Sequence, residues 1–432
     1  MRYSDEVSKM IRSSGAEEGS LIQITVDGKE YKGIMMPHKD SSDPDVIVIK
    51  MKSGYNAGFR MDRGASLKVL EPPAVKKPVK AVRSAKKGLP NLVLISTGGT
   101  IGSVADVKTG AVAPGRSAER LLDIVPEILD IANIKARDII SVFSENINSD
   151  HWKEMAKAIE EELNAGADGI ILSHGTDTMG YTAAALSFML SELNAPVVMV
   201  GSQRSPDRPS SDAPGNLLAA ARFAASGTPG VYVVMHDTVG DDSYAVHRGT
   251  RVRKMHTSRR DAFRSINTHP VAVIDAAGKI TFGDEVPAAS ERTKARTAME
   301  KKVIMLQFYP GMDPAVFRDA VMRSKGIVIA GTGLGHVSDS IALLLRDAIS
   351  NGSTAVMTSQ CINGSSGLNV YDTGRGLQEI GVIPVKDMLP ETAYVKLMWV
   401  LANTKTLEEA KKMMKDTLSY EMGDRRTLDV VW

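Results

Sequence analysis

Hydroxylic and charged residues collect in five short segments of this chain: Thr97-Gly98-Gly99-Thr100-Ile101-Gly102, Ser144-Glu145-Asn146, His174-Gly175-Thr176-Asp177-Thr178, Gly201-Ser202-Gln203-Arg204 and a stretch around Lys254. A hydroxyl, a carboxylate and an amine are the parts of a nucleophilic hydrolase. A threonine hydroxyl is weak at its own pKa and needs a base or a strongly polarised site. Thr100 could be that nucleophile, presented after two glycines that let backbone approach a small substrate, with Asp177 holding Lys254 beside it. Thr100 as a plain turn hydroxyl is the other reading, and local sequence leaves both open. A phosphate cradle would want G-x-G-x-x-G or G-x-x-x-x-G-K-[ST], and Thr97 to Gly102 fits neither. His174 reads as a structural histidine at a strand end, since no G-x-S-x-G elbow supports a serine triad. No H-E-x-x-H or carboxylate–histidine cluster points to a metal. The single Cys361, read as a small buried side chain, excludes an intrachain disulfide.

These segments share a position: each follows a short apolar run that reads as a strand. From Asn91 onward strands alternate with helices. Leu92–Ser96, Ile139–Phe143, Gly169–Ser173, Pro196–Val200 and Val231–Met235 are predicted strands. Ser117–Ala132, Asp150–Asn164 and Thr178–Asn194 are predicted helices, and a long loop carries Lys254. This βα rhythm implies a parallel sheet covered on both faces. Ligands of such sheets sit beyond the carboxyl ends of the strands, where the five segments fall. A second α/β block follows, with strands Val303–Phe308, Ile327–Ala330 and Thr354–Thr358 and helices Asp313–Ser324 and Val337–Ser350. Two helices close the chain, the second opened by a Thr406/Glu409 capping box.

Before this body the pattern differs. Leu21–Val26, Tyr31–Met36 and Val46–Met51 are short strands, the first two joined by an Asp27-Gly28 turn, and five or so strands suggest a small barrel. Glu71–Pro90 then reads as an extended linker, with six basic residues against one acidic. The predicted layout is 1–70 barrel, 71–90 linker, 91–295 α/β domain with the site, and 296–432 second α/β domain. The 432 residues carry a formal net charge of +2, so no global field marks a nucleic-acid binder. The N-terminal segment is charged throughout, unlike a signal peptide, and no apolar run approaches the ~18 residues that span a bilayer, so a cytoplasmic protein is expected.

The motifs together resemble the bacterial-type L-asparaginase family. Thr97 to Gly102 resembles its first signature and His174 to Met179 its second. Pro196 to Gly201 and Ser211 to Asn216 look like the stretch after it, and the resemblance covers about residues 91 to 420. It implies an asparaginase-like α/β fold with two parallel-sheet domains. By position it implies Thr100 as the attacking threonine, Thr176, Asp177 and Lys254 as the residues completing the site, and Gly99, Ser144 and Glu145 as substrate-binding. Ser144 matches a serine that holds the substrate α-carboxylate. Glu145 lies where many members have glutamine, and the family's flexible-loop tyrosine aligns with Ala111. The N-terminal unit, with Gly33 to Pro37 and Ser53 to Gly58, resembles that of the archaeal glutamyl-tRNA(Gln) amidotransferase D-subunit family. That resemblance implies hydrolysis of glutamine or asparagine and delivery of ammonia to an E-subunit partner, which uses ATP and Mg2+ to convert Glu-tRNA(Gln) to Gln-tRNA(Gln). It also implies no cofactor in this chain, tRNA(Gln) bound through the complex, and a homodimer within a heterotetramer. A free-standing asparaginase or glutaminase is the alternative, and the barrel discriminates against it. A binding scaffold that has lost catalysis is a third reading. The complete Thr100, Thr176, Asp177 and Lys254 set opposes it, while Ala111 and Glu145 keep it open.

Overall fold

The computed structural model describes residues 3–38, 43–51, 56–62, 64–73, 86–98, 101, 104–105, 112–113, 118–206 and 211–423. Thr100, Gly99, Ala111 and most of the expected linker therefore lie outside the described residues.

The N-terminal unit is a five-stranded antiparallel sheet of β1 (Leu21–Val26), β2 (Lys29–Met35), β3 (Val46–Met51), β4 (Asn56–Arg60) and β5 (Ser66–Glu71), in the order β4-β3-β2-β1-β5. Asp27 and Gly28 both take positive φ, as a two-residue hairpin turn requires. A helix that sequence reading passed over, α1 (Asp5–Ser14), adds Val7 to the Ile22, Ile24, Ile47 and Ile49 core. Val7, Met10 and Ile11 are spaced to share one helical face, which is the periodic signal of such a helix. Of the expected linker, Glu71 ends β5, and Lys86 is bonded to Asn133 and Asp130 of the body.

The body opens with β6 (Asn91–Gly98), followed by the short pair β7 (Val104–Ala105) and β8 (Val112–Ala113). Next come α2 (Ala118–Ile124) and β9 (Asn133–Val142). Pro126 ends the predicted 117–132 helix early and starts a 3-10 turn, because proline removes a donor and clashes within a helix. Strand β9 starts six residues before the predicted one. It is an edge strand with no fully buried residue, so no apolar run announced its start. Then follow α3 (Ser149–Asn164), β10 (Gly169–Ser173), α4 (Met179–Met189), β11 (Pro196–Val200), α5 (Ala213–Ala224) and β12 (Gly230–His236). These five strands pair in parallel in the order β9-β6-β10-β11-β12. The chain steps from β6 to one side, then returns to run the other way, so the topological switch lies between β6 and β10.

The sheet is mixed rather than wholly parallel. Strands β13 (Ser243–Arg248), β16 (Ala272–Asp275) and β17 (Ile280–Phe282) extend it antiparallel from β12. The predicted loop around Lys254 is instead a hairpin of β14 (Val252–Lys254) and β15 (Phe263–Ser265). Helices α2 and α5 cover one face of the sheet, and α3 and α4 the other.

The second α/β unit is a parallel sheet of β18 (Val303–Gln307), β19 (Gly326–Gly331), β20 (Thr354–Ser359) and β21 (Ile383–Pro384), with α6 (Pro314–Met322), α7 (Asp339–Ser350) and α8 (Asp372–Glu379). It ends with α9 (Pro390–Asn403) and α10 (Leu407–Lys415), the latter opened by the predicted Thr406/Glu409 capping box. Helices α4 and α9 pack between the two sheets, with the Phe188 and Trp399 rings stacked 6.3 Å apart. The two units thus share one continuous core. Cys361 is exposed, not buried: it lies in the loop after β20 at the strand edge. Among the described residues no helix is long and apolar enough to cross a membrane.

Candidate active site

Three of the four predicted catalytic residues meet at the switch point. The Lys254 ammonium, at the end of β14, donates to Thr176 Oγ1 at 2.8 Å and to Asp177 Oδ1 at 2.7 Å. Thr176 is buried and the lysine side chain 13% exposed, whereas that of Asp177 is 71% exposed and faces solvent. An ammonium shared by a hydroxyl and a carboxylate can pass a proton between a dry interior and an open mouth. Thr100 follows β6, the neighbour of β10, two residues past its end; its side chain is outside the described residues.

The turn toward Thr100 depends on glycine. Gly98 has φ +97°, and a Cβ there would stand 2.7 Å from the Val142 carbonyl oxygen. We expect Gly98→Ala to destabilise the fold by roughly 1–3 kcal/mol, since it forces both positive φ and backbone contact. Urea unfolding measures this, and an unchanged midpoint would contradict it.

Ser144 and Glu145 follow β9 in a 3-10 turn. Ser144 is buried against the loop after β10, where a Cβ on Gly175 would lie 2.7 Å from the Ser144 Cβ. Its carbonyl accepts from Thr178 Oγ1 at 2.7 Å. The serine predicted to hold substrate thus sits against the segment that carries Thr176. Glu145 is exposed beside it.

His174 is fully buried and serves as a brace. His174 Nδ1 donates to the Gly175 carbonyl at 2.7 Å, so Nε2 of the neutral ring accepts from the Thr182 hydroxyl at 2.9 Å, whose oxygen in turn accepts from Trp152 Nε1. That pattern is satisfied by a neutral ring. Burial pushes its pKa down to about 4, against the pull of the Gly175 carbonyl.

The hairpin carrying Lys254 is held by a charged network that sequence reading did not single out. Buried His236 contacts Asn216 Oδ1 at 2.6 Å and Asp241 Oδ1 at 3.1 Å, and Asp241 accepts from Arg260 at 2.7 Å. The His236 bond and the Arg260 charge, against partial burial, hold the Asp241 carboxyl down at about 2. Asp261, also on the hairpin, accepts from Arg259 and Arg264. Asn216 closes the Ser211 to Asn216 motif, but no local spacing marks His236 or Asp241 as its partners. Among the described residues no group of three or more His, Cys, Asp or Glu is placed to hold a metal ion.

The fold defines an asparaginase-like class. Residues 91–287 match the family described as "Asparaginase, N-terminal" and residues 302–414 the "Glutaminase/Asparaginase C-terminal domain". The thermostable L-asparaginase of Thermococcus kodakarensis superposes with a TM-score of 0.70 at 33% identity, covering 78% of this chain and 100% of that one. L-asparaginase I of Vibrio cholerae gives 0.67 at 28%, covering 78% and 99%. The N-terminal unit adds the finer distinction, because residues 16–70 match the "GatD N-terminal domain". The glutamyl-tRNA(Gln) amidotransferase D-subunit of Pyrococcus furiosus is 49% identical over 96% of this chain and 97% of its own length. That of Methanopyrus kandleri is 44% identical over 99% and 96%. The chain belongs to the glutamyl-tRNA(Gln) amidotransferase D-subunit family.

Proposed function

We propose that this chain hydrolyses the side-chain amide of glutamine, or of asparagine, and supplies the ammonia to a partner subunit that converts Glu-tRNA(Gln) to Gln-tRNA(Gln). One observation carries the reading: similarity to proteins named as this subunit runs through the N-terminal β unit as well as the body. The solved asparaginases match end to end yet leave about a fifth of this chain uncovered, which favours the amidotransferase over a free-standing asparaginase.

In this reading Thr100 attacks the amide carbon and ammonia leaves. Thr176, Asp177 and Lys254 relay protons and activate the water that clears the acyl-threonine. Gly99, Ser144 and Glu145 hold the substrate. Residues 1–70 and the basic segment 71–90 serve assembly or tRNA engagement, while 91–295 and 296–432 form the hydrolase. ATP and Mg2+ belong to the E-subunit partner, tRNA(Gln) binds through the complex, and two copies of this chain pair as a homodimer within a cytoplasmic heterotetramer.

The division of labour is testable with Thr100→Ala in the assembled complex. It should lose Gln-tRNA(Gln) formation from glutamine and keep it from added ammonium. Glutamine-dependent product from the variant, or glutamine hydrolysis by the partner without this chain, would overturn the reading.

A further inference from the structure

Strand β14 has two faces. Lys254 points to the site, while Arg253, and Arg251 just before the strand, reach the second α/β unit. Arg251 donates to Asp387 Oδ2 at 2.8 Å, with side-chain exposures of 4% and 13%, and Arg253 stands 3.6 Å from the buried Glu391. Asp387 is the hub. Its other carboxylate oxygen accepts from the Gly423 N–H at 3.0 Å, and its carbonyl accepts from Asn267 Nδ2 at 3.2 Å. Arg251 lies one residue before β14 and Asn267 two beyond β15, so Asp387 holds both ends of the lysine hairpin, one through its carboxylate and the other through its main-chain carbonyl. Arg251 Nε also donates to the Tyr420 carbonyl at 2.8 Å, which brings the C-terminal segment into the same knot.

Among the described residues, left-handed backbone at non-glycine positions gathers here. Four non-glycine residues take positive φ among the described residues, and three of them, Asn267, Lys386 and Tyr420, belong to this junction. Strained residues persist where the surroundings over-determine them, and they gather where geometry matters to function. A buried arginine–carboxylate pair adds little net stability over an apolar packing of the same volume; what it supplies is a fixed arrangement.

We propose that Asp387 is a positioning residue for Lys254, holding the lysine hairpin against the second α/β unit so that the ammonium reaches Thr176 and Asp177. The inference rests on the hydrolase reading for its catalytic consequence. For the lysine's placement it rests only on the contacts above.

The test uses the full-length chain carrying Asp387→Asn, which keeps size and an acceptor for Gly423 but loses the ion pair. The kcat for ammonia release from glutamine should fall about 100-fold, the cost of a small misplacement of a catalytic group, with KM within about threefold. Acetylation of Lys254 by an amine-directed reagent at fixed pH, read by mass spectrometry, should become about tenfold faster, as one charge-assisted bond is lost. Asn267→Gly keeps the positive φ without steric cost and frees the other end of the hairpin, removing the side-chain bonds to the Asp387 carbonyl and to the Gly364 backbone; it should move both readouts the same way and covers the case in which Asp387→Asn does not fold. Variants with lower thermal stability but unchanged kcat and Lys254 labelling would overturn the proposal. Absence of ammonia release by the wild-type chain, alone and with its partner, would sink the hydrolase reading instead, and the labelling comparison would still decide the role of Asp387.

Discussion

Replacing Lys254 by methionine should cut ammonia release from glutamine on the order of 1,000-fold, within the range of lost proton transfer and lost charge stabilisation. Thr176→Val and Asp177→Asn should each cost nearly as much, and the triple variant little more. The reason is geometric. One ammonium bridges the threonine hydroxyl and the aspartate, so removing any member breaks the same proton path. Groups that act as a unit give non-additive losses. The fold should survive, because Asp177 is largely solvated and leaves no buried charge when the lysine is gone. Steady-state kinetics on the three singles, the doubles and the triple, with circular dichroism as the control, measure this. Losses that multiply across the three positions would show that they act independently, and the relay would be wrong.

Acid should destabilise this protein at pH values above those where most of its carboxylates titrate. His174 is held down at about 4 by burial, and His247 at about 3 by burial and the Arg264 charge. Both stay neutral in the folded state, whereas an unfolded histidine takes up a proton near 6.5. The unfolded chain therefore binds more protons between about pH 4 and 6.5, and stability rises with pH across that window. Read downward, stability is complete above pH 6.5 and is lost as pH falls, at roughly 1.4 kcal/mol per pH unit for each ring. His174 alone contributes a loss of about 3 kcal/mol by pH 4. Urea midpoints at pH 7.5, 6.0, 5.0 and 4.5 check this above the range where most carboxylates protonate. His174→Asn, whose amide can still donate to the Gly175 carbonyl, should flatten the slope by about half. Parallel slopes for variant and wild type would mean that His174 is not a source of the acid sensitivity.

Local pattern carried much of the architecture. The apolar runs at Gly169–Ser173 and Pro196–Val200 became β10 and β11 with those boundaries, because a strand buried on both faces leaves a continuous apolar signature. The Thr406/Glu409 cap and the Asp27-Gly28 turn were readable because their partners lie within three residues. Strand β9 was only half readable, since an edge position leaves side chains partly wet and blurs the pattern. The three antiparallel strands of the large sheet, β13, β16 and β17, were missed. They follow no helix, two of them are only three or four residues long, and nothing in Ser243–Arg248 states that its partner is β12.

The chemical groups at the carboxyl ends of the parallel strands were legible from βα rhythm, which puts Thr100, Ser144 and Thr176 after successive strands. That Lys254 reaches Thr176 and Asp177 across 78 and 77 residues of chain, from a hairpin rather than a loop, emerges from the assembled fold alone. Likewise only the fold brings Arg251 to Asp387 over 136 residues, where strain and a buried ion pair meet. The physical reason is the same in each case. A helix or strand repeats every few residues and writes its period into the chain, whereas a contact between distant segments depends on which surfaces the assembled core brings together.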